Sequence, residues 1–353
     1  MSGLPSWLLL GIFLASAAVI WVSGVTLSDT TDVLAERLHL GSALGGLVIL
    51  AIATNLPEIA ITVSAALSGQ LEVAVGNILG GIAVQTVVLV VVDALGMRVP
   101  KPLTYQAASL VLVLEGALVV AVLLIVVAGA QLPASLLTAR LTPDVVLIAV
   151  VWVVGLLLVN HAGNYLPWSD SGDAPDTQPE ERGVRRKKKE AAATGKGMST
   201  GRAAAGFSVA AVATLVTGVT IERSGEQFFG NLGLSGILFG STVLAIATSL
   251  PELSTGITSA RMGDYQLAIG DIFGGNAFLQ ALFLPATVLA GSAVLPAAGR
   301  SDIYLTALGA VLTVIYLAGL IFRPSKQIAR MGVDSIVVLL VYLLGIVGLV
   351  ALQ

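Results

Sequence analysis

Residues 50–84 read LAIATNLPEIAITVSAALSGQLEVAVGNILGGIAV, and residues 244–278 read LAIATSLPELSTGITSARMGDYQLAIGDIFGGNAF. The two segments align without a gap at an offset of 194 residues, with 16 identities in 35 positions. Each contains a Pro-Glu pair inside an apolar stretch: Pro57-Glu58 in the first segment and Pro251-Glu252 in the second. Because an acidic side chain and a proline are both costly within a membrane-spanning helix, their presence at matching places in two halves indicates a transporter site.

The composition indicates a polytopic membrane protein. Of the 353 residues, 56% are hydrophobic and 11% are charged, and the mean hydropathy is +0.95, whereas a soluble domain carries about a quarter charged residues. The chain contains no cysteine, which excludes a disulfide framework, a thiolate nucleophile and a cysteine metal site. No nucleophile–base pair or histidine metal motif lies in the apolar segments, so we do not expect an enzyme.

Ten apolar segments have the length of about 20 residues that a membrane-spanning helix needs. They lie near 5–24, 41–66, 73–95, 104–128, 143–166, 203–222, 235–260, 266–292, 302–322 and 333–352. We therefore predict an all-α integral membrane protein with ten transmembrane helices. Its three parts are a first five-helix repeat (1–166), a disordered linker (167–202) and a second five-helix repeat (203–353).

The positions of lysine and arginine predict the orientation in the membrane. If the linker is cytoplasmic, 15 of the 18 basic residues lie on that side, and only Arg140, Arg223 and Arg300 lie outside. This bias predicts a cytoplasmic linker and two external termini, in a plasma or inner membrane. We interpret the basic run Arg185–Lys189 mainly as a signal for membrane topology. Contact with anionic lipids is a secondary role.

An odd number of spans in each half means that the second half crosses the membrane in the opposite sense, so the duplication predicts an inverted repeat. Such repeats place the substrate site near the midplane, where broken helices from both halves meet. We expect breaks in spans two and seven at the Pro-Glu pairs, and in spans three and eight at Gly80-Gly81 and Gly274-Gly275. Freed carbonyls are tolerated in a bilayer only where they line a polar cavity or coordinate an ion.

Helical spacing predicts one face of oxygen ligands on each of these four spans. The face comprises Ala51, Thr54, Asn55 and Glu58 on span two, Asn77 and Gln85 on span three, Ala245, Thr248, Ser249 and Glu252 on span seven, and Asp271 on span eight. Hard oxygen donors suit calcium, sodium or magnesium, and three carboxylates favour one divalent ion or several monovalent ions. Glu115 stands alone in span four, where a structural hydrogen bond and a proton-linked role are both open.

The motifs ATNLPE with GNILGG, and ATSLPE with GDIFGGN, resemble the two alpha-repeats of the cation/calcium exchanger superfamily. The resemblance covers the whole ten-span plan and is closer to the sodium/calcium branch than to the proton-coupled branch. It implies that Glu58 and Glu252 ligate calcium at the centre. It also implies flanking sodium sites, to which the hydroxyls of Thr54, Thr248 and Ser249 and the carbonyls of Ala51 and Ala245 contribute.

The chain departs from the usual pattern of this superfamily at several positions. Gly81 and Gly275 replace a serine, Gln85 and Leu279 replace a closing Asn or Asp, and Asn55 replaces the serine before the first Leu-Pro-Glu. Asp271 stands where Asn is usual, two helical turns before Leu279. Our hypothesis is that the acid has moved along span eight. Because these replacements remove serine hydroxyls that are usual in the superfamily, the identity of the coupling ion stays open.

Together these features predict a secondary active antiporter that exchanges calcium for sodium by alternating access, with spans one and six sliding across the core. Inorganic cations and the lipid bilayer are the expected partners, and no cofactor, nucleic acid or obligate protein partner is expected. One alternative is a proton-coupled calcium/cation (or sodium/proton) exchanger on the same fold, favoured by the lost serines and by Glu115. The other is a passive cation channel, which the paired broken helices disfavour.

Overall fold

The computed structural model describes residues 3–37, 45–107, 109–165, 198–233 and 239–352. Residues 167–197 of the predicted linker, which include its basic run, lie outside the described residues. The far boundary of the linker is wrong, because a helix already begins at Thr200. The Ser199 hydroxyl caps that helix by accepting a hydrogen bond from the Arg202 N–H at 3.3 Å, a common device for starting a helix.

The described part of the first half is helical from end to end. Its helices are α1 (Ser6–Arg37), α2 (Gly45–Thr54), α3 (Leu56–Leu67), α4 (Leu71–Gly96), α5 (Leu103–Ala107), α6 (Leu110–Gly129) and α7 (Pro143–Tyr165). A short 3-10 turn, Ala134–Leu136, lies between α6 and α7.

The described part of the second half also contains seven helices. Its helices are α8 (Thr200–Asn231), α9 (Ala245–Thr248), α10 (Leu250–Met262), α11 (Tyr265–Ala281), α12 (Phe283–Ala290), α13 (Arg300–Phe322) and α14 (Val333–Ala351). A π-helical turn, Phe239–Leu244, leads into α9, and a 3-10 turn, Leu295–Ala297, precedes α13.

The described residues are mostly helical, as predicted, and they contain one small antiparallel ribbon. Strands β1 (Gln327–Ile328) and β2 (Met331–Gly332) pair between α13 and α14. Ala329 and Arg330 close the ribbon with positive φ angles of 52° and 69°. This is the turn conformation whose twist matches a two-residue hairpin.

Eight helical segments in the described residues are long and apolar enough to cross a membrane. The two predicted spans missing from that set, near 41–66 and 235–260, occur as shorter pieces, α2 with α3 and α9 with α10. The most buried spanning segment is α4, with 78% of its apolar window inside the protein, whereas α7 has 22%. Helix α4 therefore lies at the centre of the bundle, and α7 lies at its surface.

The breaks predicted at the Gly-Gly pairs are wrong. Helix α4 runs without interruption through Gly80-Gly81, and α11 runs without interruption through Gly274-Gly275. Neither pair is accompanied by a proline, so every residue retains its N–H donor, and glycine alone weakens a helix by only about 1 kcal/mol. The small residues allow close packing instead, as the contacts of Gly275 described below show.

The two longest helices, α1 and α8, pack along each other and against the Leu-Pro-Glu segments. A Cβ on Gly24 of α1 would lie 2.8 Å from the Pro251 Cα, and a Cβ on Gly218 of α8 would lie 3.1 Å from the Pro57 Cα. Both pairs of positions are related by the same offset of 194 residues. Each long helix therefore contacts the proline of the opposite copy at one of its own glycines.

Candidate functional site

Both Leu-Pro-Glu segments interrupt a helix at a single residue. Asn55 separates α2 from α3, and Ser249 separates α9 from α10. Their backbone angles nearly coincide, with φ −87° and ψ 17° at Asn55 and φ −81° and ψ 8° at Ser249. The proline two residues later has no N–H to donate to the preceding turn, which gives both interruptions the same local cause.

The carbonyls of Ala51 and Ala245 are engaged by the interrupting residues. The Ala51 carbonyl accepts the Asn55 side-chain Nδ2 at 2.7 Å and the Asn55 backbone N–H at 3.2 Å. The Ala245 carbonyl accepts the Ser249 Oγ at 2.7 Å and the Ser249 N–H at 3.0 Å. An ion bound by either carbonyl would therefore have to displace a side-chain donor from this conformation.

Glu58 and Glu252 are completely buried in the first turns of α3 and α10, and the two carboxyl groups interact electrostatically. The Thr248 hydroxyl faces Glu58, and the Thr54 hydroxyl faces Glu252, so each acid faces the opposite copy. Among the described residues, both oxygens of Glu58 and Oε2 of Glu252 lack a hydrogen-bond partner. Buried carboxylate oxygens are costly to leave unsatisfied, and a bound cation or protons would satisfy them.

Two amides of the first copy lie beside Glu252. Gln85 Nε2 donates to Asn55 Oδ1 at 3.0 Å and reaches Glu252 Oε1 at 3.5 Å. Gly275 of the second copy leaves room for this arrangement, because a Cβ there would lie 2.8 Å from Asn55 Nδ2. The large side chain at position 55 and the missing side chain at position 275 thus belong to one packing arrangement.

Asn77 and Asp271 occupy the same repeat position but make different contacts. Asn77 Nδ2 donates to the Glu58 backbone carbonyl and to Thr62 Oγ1, both at 3.1 Å. Asp271 Oδ2 accepts a hydrogen bond from Thr255 Oγ1 at 2.6 Å. Neither threonine was identified from the sequence, although each lies one helical turn after its glutamate, and that i+3 or i+4 spacing is the signal that could have found it.

A further contact across the two copies was also missed. Asn276 Nδ2 donates to Thr86 Oγ1 at 3.1 Å, which joins α11 to α4, and both side chains are completely buried. Within the described part of the chain, Asn276 Oδ1 has no hydrogen-bond partner. The only sequence signal for Asn276 was its position directly after the Gly-Gly pair.

The predicted residues therefore gather around the two glutamates without forming a compact three-carboxylate cage. In the ranges that the structure describes, no group of three His, Cys, Asp or Glu side chains is arranged to hold one metal ion. Asp271 acts on Glu252 electrostatically while bonding to a threonine. Glu115 lies in α6 and is 6% exposed, and its Oε2 has no hydrogen-bond partner in the described residues.

Comparison with known families identifies the class of protein. The family model described as sodium/calcium exchanger protein matches residues 8–162 and 200–351, most of the chain, including both Leu-Pro-Glu segments. The chain therefore belongs to the sodium/calcium exchanger protein family, and the superfamily predicted from the repeated motifs is confirmed. Members of this family are exchangers.

The chain is also similar in sequence to three further proteins. CaxA, a candidate antiporter of Alkalimonas amylolytica, is 27% identical over 278 residues, which cover 77% of this chain and 77% of CaxA. The inner membrane protein YrbG of Escherichia coli (strain K12) is 26% identical over 291 residues, covering 81% of this chain and 80% of YrbG. The sodium/calcium exchanger MaX1 of Methanosarcina acetivorans is 35% identical over 69 residues, 19% of this chain and 20% of MaX1.

Solved structures from two exchanger types share the fold. A structure of the sodium-calcium exchanger NCX_Mj has a TM-score of 0.61 at 17% identity, covering 96% of this chain and 98% of that chain. The H+/Ca2+ exchanger CAX has a TM-score of 0.65 at 13% identity, covering 99% of this chain and 82% of that chain. At these identities the likeness shows the fold alone.

Proposed function

We propose that the protein is a secondary active antiporter that exchanges calcium for sodium, with Glu58 and Glu252 as the central ligands. The observation that carries this proposal is the buried pair of glutamates, each placed just after a helix interruption of the same geometry. Such a pair needs a compensating positive charge when ionised, because desolvation makes an isolated buried charge very unfavourable.

The atoms around the pair are suited to a hard cation. The proposed ligand set comprises Glu58, Glu252, Asp271, Thr54, Thr248, Ser249, Asn55, Asn77, Gln85 and the carbonyls of Ala51 and Ala245. Gln85 Oε1 has no hydrogen-bond partner among the described residues, so this amide has an oxygen to offer. Calcium takes six to eight oxygen ligands at about 2.3–2.6 Å, and waters complete the shell where protein atoms do not reach.

Exchange follows from competition for the glutamates. Calcium and the coupling ion both require the same two carboxylates, so binding of one excludes the other. If the site can change the side to which it opens only when the two carboxylates are neutralised, an ion is carried in each direction. In the presence of an inward sodium gradient, sodium entry would expel calcium.

Alternating access is proposed to use ten helices in two inverted five-helix repeats, with α2–α3 and α9–α10 as broken spans. The glycine contacts support sliding of α1 and α8, because Gly24 and Gly218 present no side chain to Pro251 and Pro57. A smooth contact at each proline lets the long helices move past the site without interlocking side chains.

We further propose that the linker, from residue 167 to the start of α8 at Thr200, faces the cytoplasm and that both termini are external, in a plasma or inner membrane. The support is the distribution of basic residues, 15 of 18 on the linker side. In this topology the run Arg185–Lys189 lies beside the cytoplasmic leaflet, where anionic lipids attract it.

A second candidate is a proton-coupled exchanger on the same fold. The observation that favours it is Glu115, a buried acid with an oxygen that lacks a hydrogen-bond partner in the described residues. The fold shared with the H+/Ca2+ exchanger CAX is compatible with this candidate. In this case Glu115 and Asp271 would be the leading proton carriers.

Uptake of radiolabelled calcium into proteoliposomes tests both candidates. We expect uptake when an outward sodium gradient is imposed, and none in the Glu58→Gln, Glu252→Gln protein. Uptake driven only by an outward proton gradient would select the second candidate. No calcium uptake with either gradient would reject the calcium assignment while leaving the fold unaffected.

A further inference from the structure

A second pair of buried carboxylates lies away from the Glu58–Glu252 pair, where α4 ends and α14 begins. Asp93 is completely buried near the end of α4, and Asp334, in the first turn of α14, is 6% exposed. A Cβ on Gly332 would touch Asp334 Oδ1 and would lie 3.4 Å from Asp93 Oδ2. The two carboxylates therefore converge on one small volume.

The two carboxylates differ in their hydrogen bonds. Asp93 Oδ1 accepts the Leu103 N–H at 2.8 Å, and Asp93 Oδ2 accepts the Gly332 N–H at 2.6 Å and the Ser335 hydroxyl at 2.7 Å. Asp334 is different, because neither of its oxygens has a hydrogen-bond partner among the described residues.

Neutral oxygen atoms surround this pair. The Thr104 hydroxyl faces Asp334 and has no hydrogen-bond partner in the described part of the chain. The Tyr316 hydroxyl lies 3.3 Å from Ser335 Oγ. The negative charge of Asp334 acts on Asp93, and no lysine or arginine of the described ranges acts on either acid. Among the described residues, these two adjacent buried acids have no compensating cation from a basic side chain.

The opposite end of the bundle offers a matched position with only one acid. Residues 138–144 read TARLTPD and residues 328–334 read IARMGVD, and in each the Ala-Arg pair has positive φ and the Asp begins a helix. A carboxylate in the first turn of a helix is favoured by the helix dipole, which accounts for Asp144 as well as Asp334. The repeat position of Asp93 is Thr287, so the second carboxylate occurs at one end only.

From this convergence we propose a second cation site, formed by Asp93 and Asp334 with the Thr104 hydroxyl, for a hard divalent cation of the calcium class. Two carboxylates match the charge of a divalent ion, and every available donor is an oxygen atom. The ion would join the end of α4 to the start of α14, separately from Glu58 and Glu252. It would supply the charge that the buried pair lacks.

The expected affinity is modest. Asp93 already uses three of its lone pairs, and the exposed basic residues Arg98, Lys326 and Arg330 of the adjoining loops repel a cation. We therefore expect a dissociation constant on the order of 10⁻⁴ M, in the range of weak protein calcium sites.

Equilibrium dialysis with radiolabelled calcium tests this site in the full-length protein, purified in detergent with the Glu58→Gln, Glu252→Gln substitutions that remove the central ligands. We expect about one calcium ion per chain to remain bound at saturation, with the weak affinity stated above. Adding Asp334→Asn is expected to abolish that binding. Adding Asp144→Asn, the matched change at the other end, is expected to leave it unchanged.

No residual calcium in the starting variant would overturn the proposal, as would calcium that persists after Asp334→Asn or is also lost after Asp144→Asn. Thermal unfolding in calcium-free buffer checks that Asp334→Asn is folded, and it is expected to be at least as stable because an uncompensated charge is removed. Should that variant fail to fold, Thr104→Val replaces it and is expected to weaken calcium binding about tenfold, or ~1.4 kcal/mol. Unchanged binding in Thr104→Val would then reject the site.

Discussion

The two Leu-Pro-Glu segments share one backbone but have different surroundings. At the first, Asn55 and Gln85 form an amide pair that reaches Glu252, and Gly275 makes room for it. At the second, the smaller Ser249 bonds to its own helix, and Leu279 stands where the first copy has Gln85. Proline fixes the interruption in both copies, whereas the side chains that face it are free to diverge. The pseudo-symmetric halves of this site are therefore alike in shape and unlike in chemistry.

The largest effect is expected where the two copies agree. Glu58→Gln and Glu252→Gln should each lower calcium uptake by about 100-fold or more, because removing one member of a buried charged group costs several kcal/mol. Uptake into proteoliposomes at saturating calcium measures the loss. Glu72→Gln, at the exposed start of α4, is the control and should transport normally. If only one glutamate proved essential, the two copies would not contribute equally to the central site.

The next largest effect on calcium uptake is expected from substitutions at the glycine contacts of the long helices. Gly24→Ala should slow uptake by about tenfold, and Gly218→Ala should slow it less, because the added methyl group would lie 2.8 Å from Pro251 in the first case and 3.1 Å from Pro57 in the second. Gly11→Ala, on α1 with nothing within 4 Å of the added atom, is the matched control. Equal rates for all three variants would argue against close sliding contacts at the prolines.

A smaller effect is expected from restoring the serines usual in this family. Gly275→Ser should weaken the apparent calcium affinity by about fivefold, because its Cβ would lie 2.8 Å from Asn55 Nδ2 and would displace the amide pair. Gly81→Ser should be tolerated, since the nearest atom, Leu279 Cδ1, is 3.7 Å away. Combining Gly275→Ser with Asn55→Ser should restore the affinity. A double variant as impaired as Gly275→Ser alone would show that positions 55 and 275 are not coupled.

The sequence predicted the class of fold because its strongest signals are local. Apolar segments of spanning length and a proline in the middle of one are properties of a single helix, and the interruptions at Asn55 and Ser249 follow from them. The expectation at the Gly-Gly pairs failed because glycine lowers the cost of bending a helix without removing a hydrogen bond. Gly80-Gly81 therefore stays helical where proline would not.

The contacts around the two glutamates could not be predicted from the spacing of residues along the sequence. Helical spacing placed Thr54 and Glu58 on one face, but it could not show that each threonine faces the glutamate of the other copy. The partners Thr62 and Thr255 depend on how α3 meets α4 and how α10 meets α11. Such contacts between helices have no counterpart in the spacing along one chain segment.

The smallest expected effect concerns the position where the copies differ in charge. Asp271→Asn should weaken the apparent calcium affinity by about threefold, ~0.7 kcal/mol, because Asp271 acts on Glu252 through space and bonds directly to Thr255. Thr255→Val is the companion variant, since it removes the hydrogen bond and keeps the charge, and it should reduce the affinity less. Calcium titration of the initial uptake rate distinguishes the two. Normal affinity in Asp271→Asn would mean that the acid serves only to hold Thr255, and the second copy would then contribute one carboxylate to the site, as the first copy does.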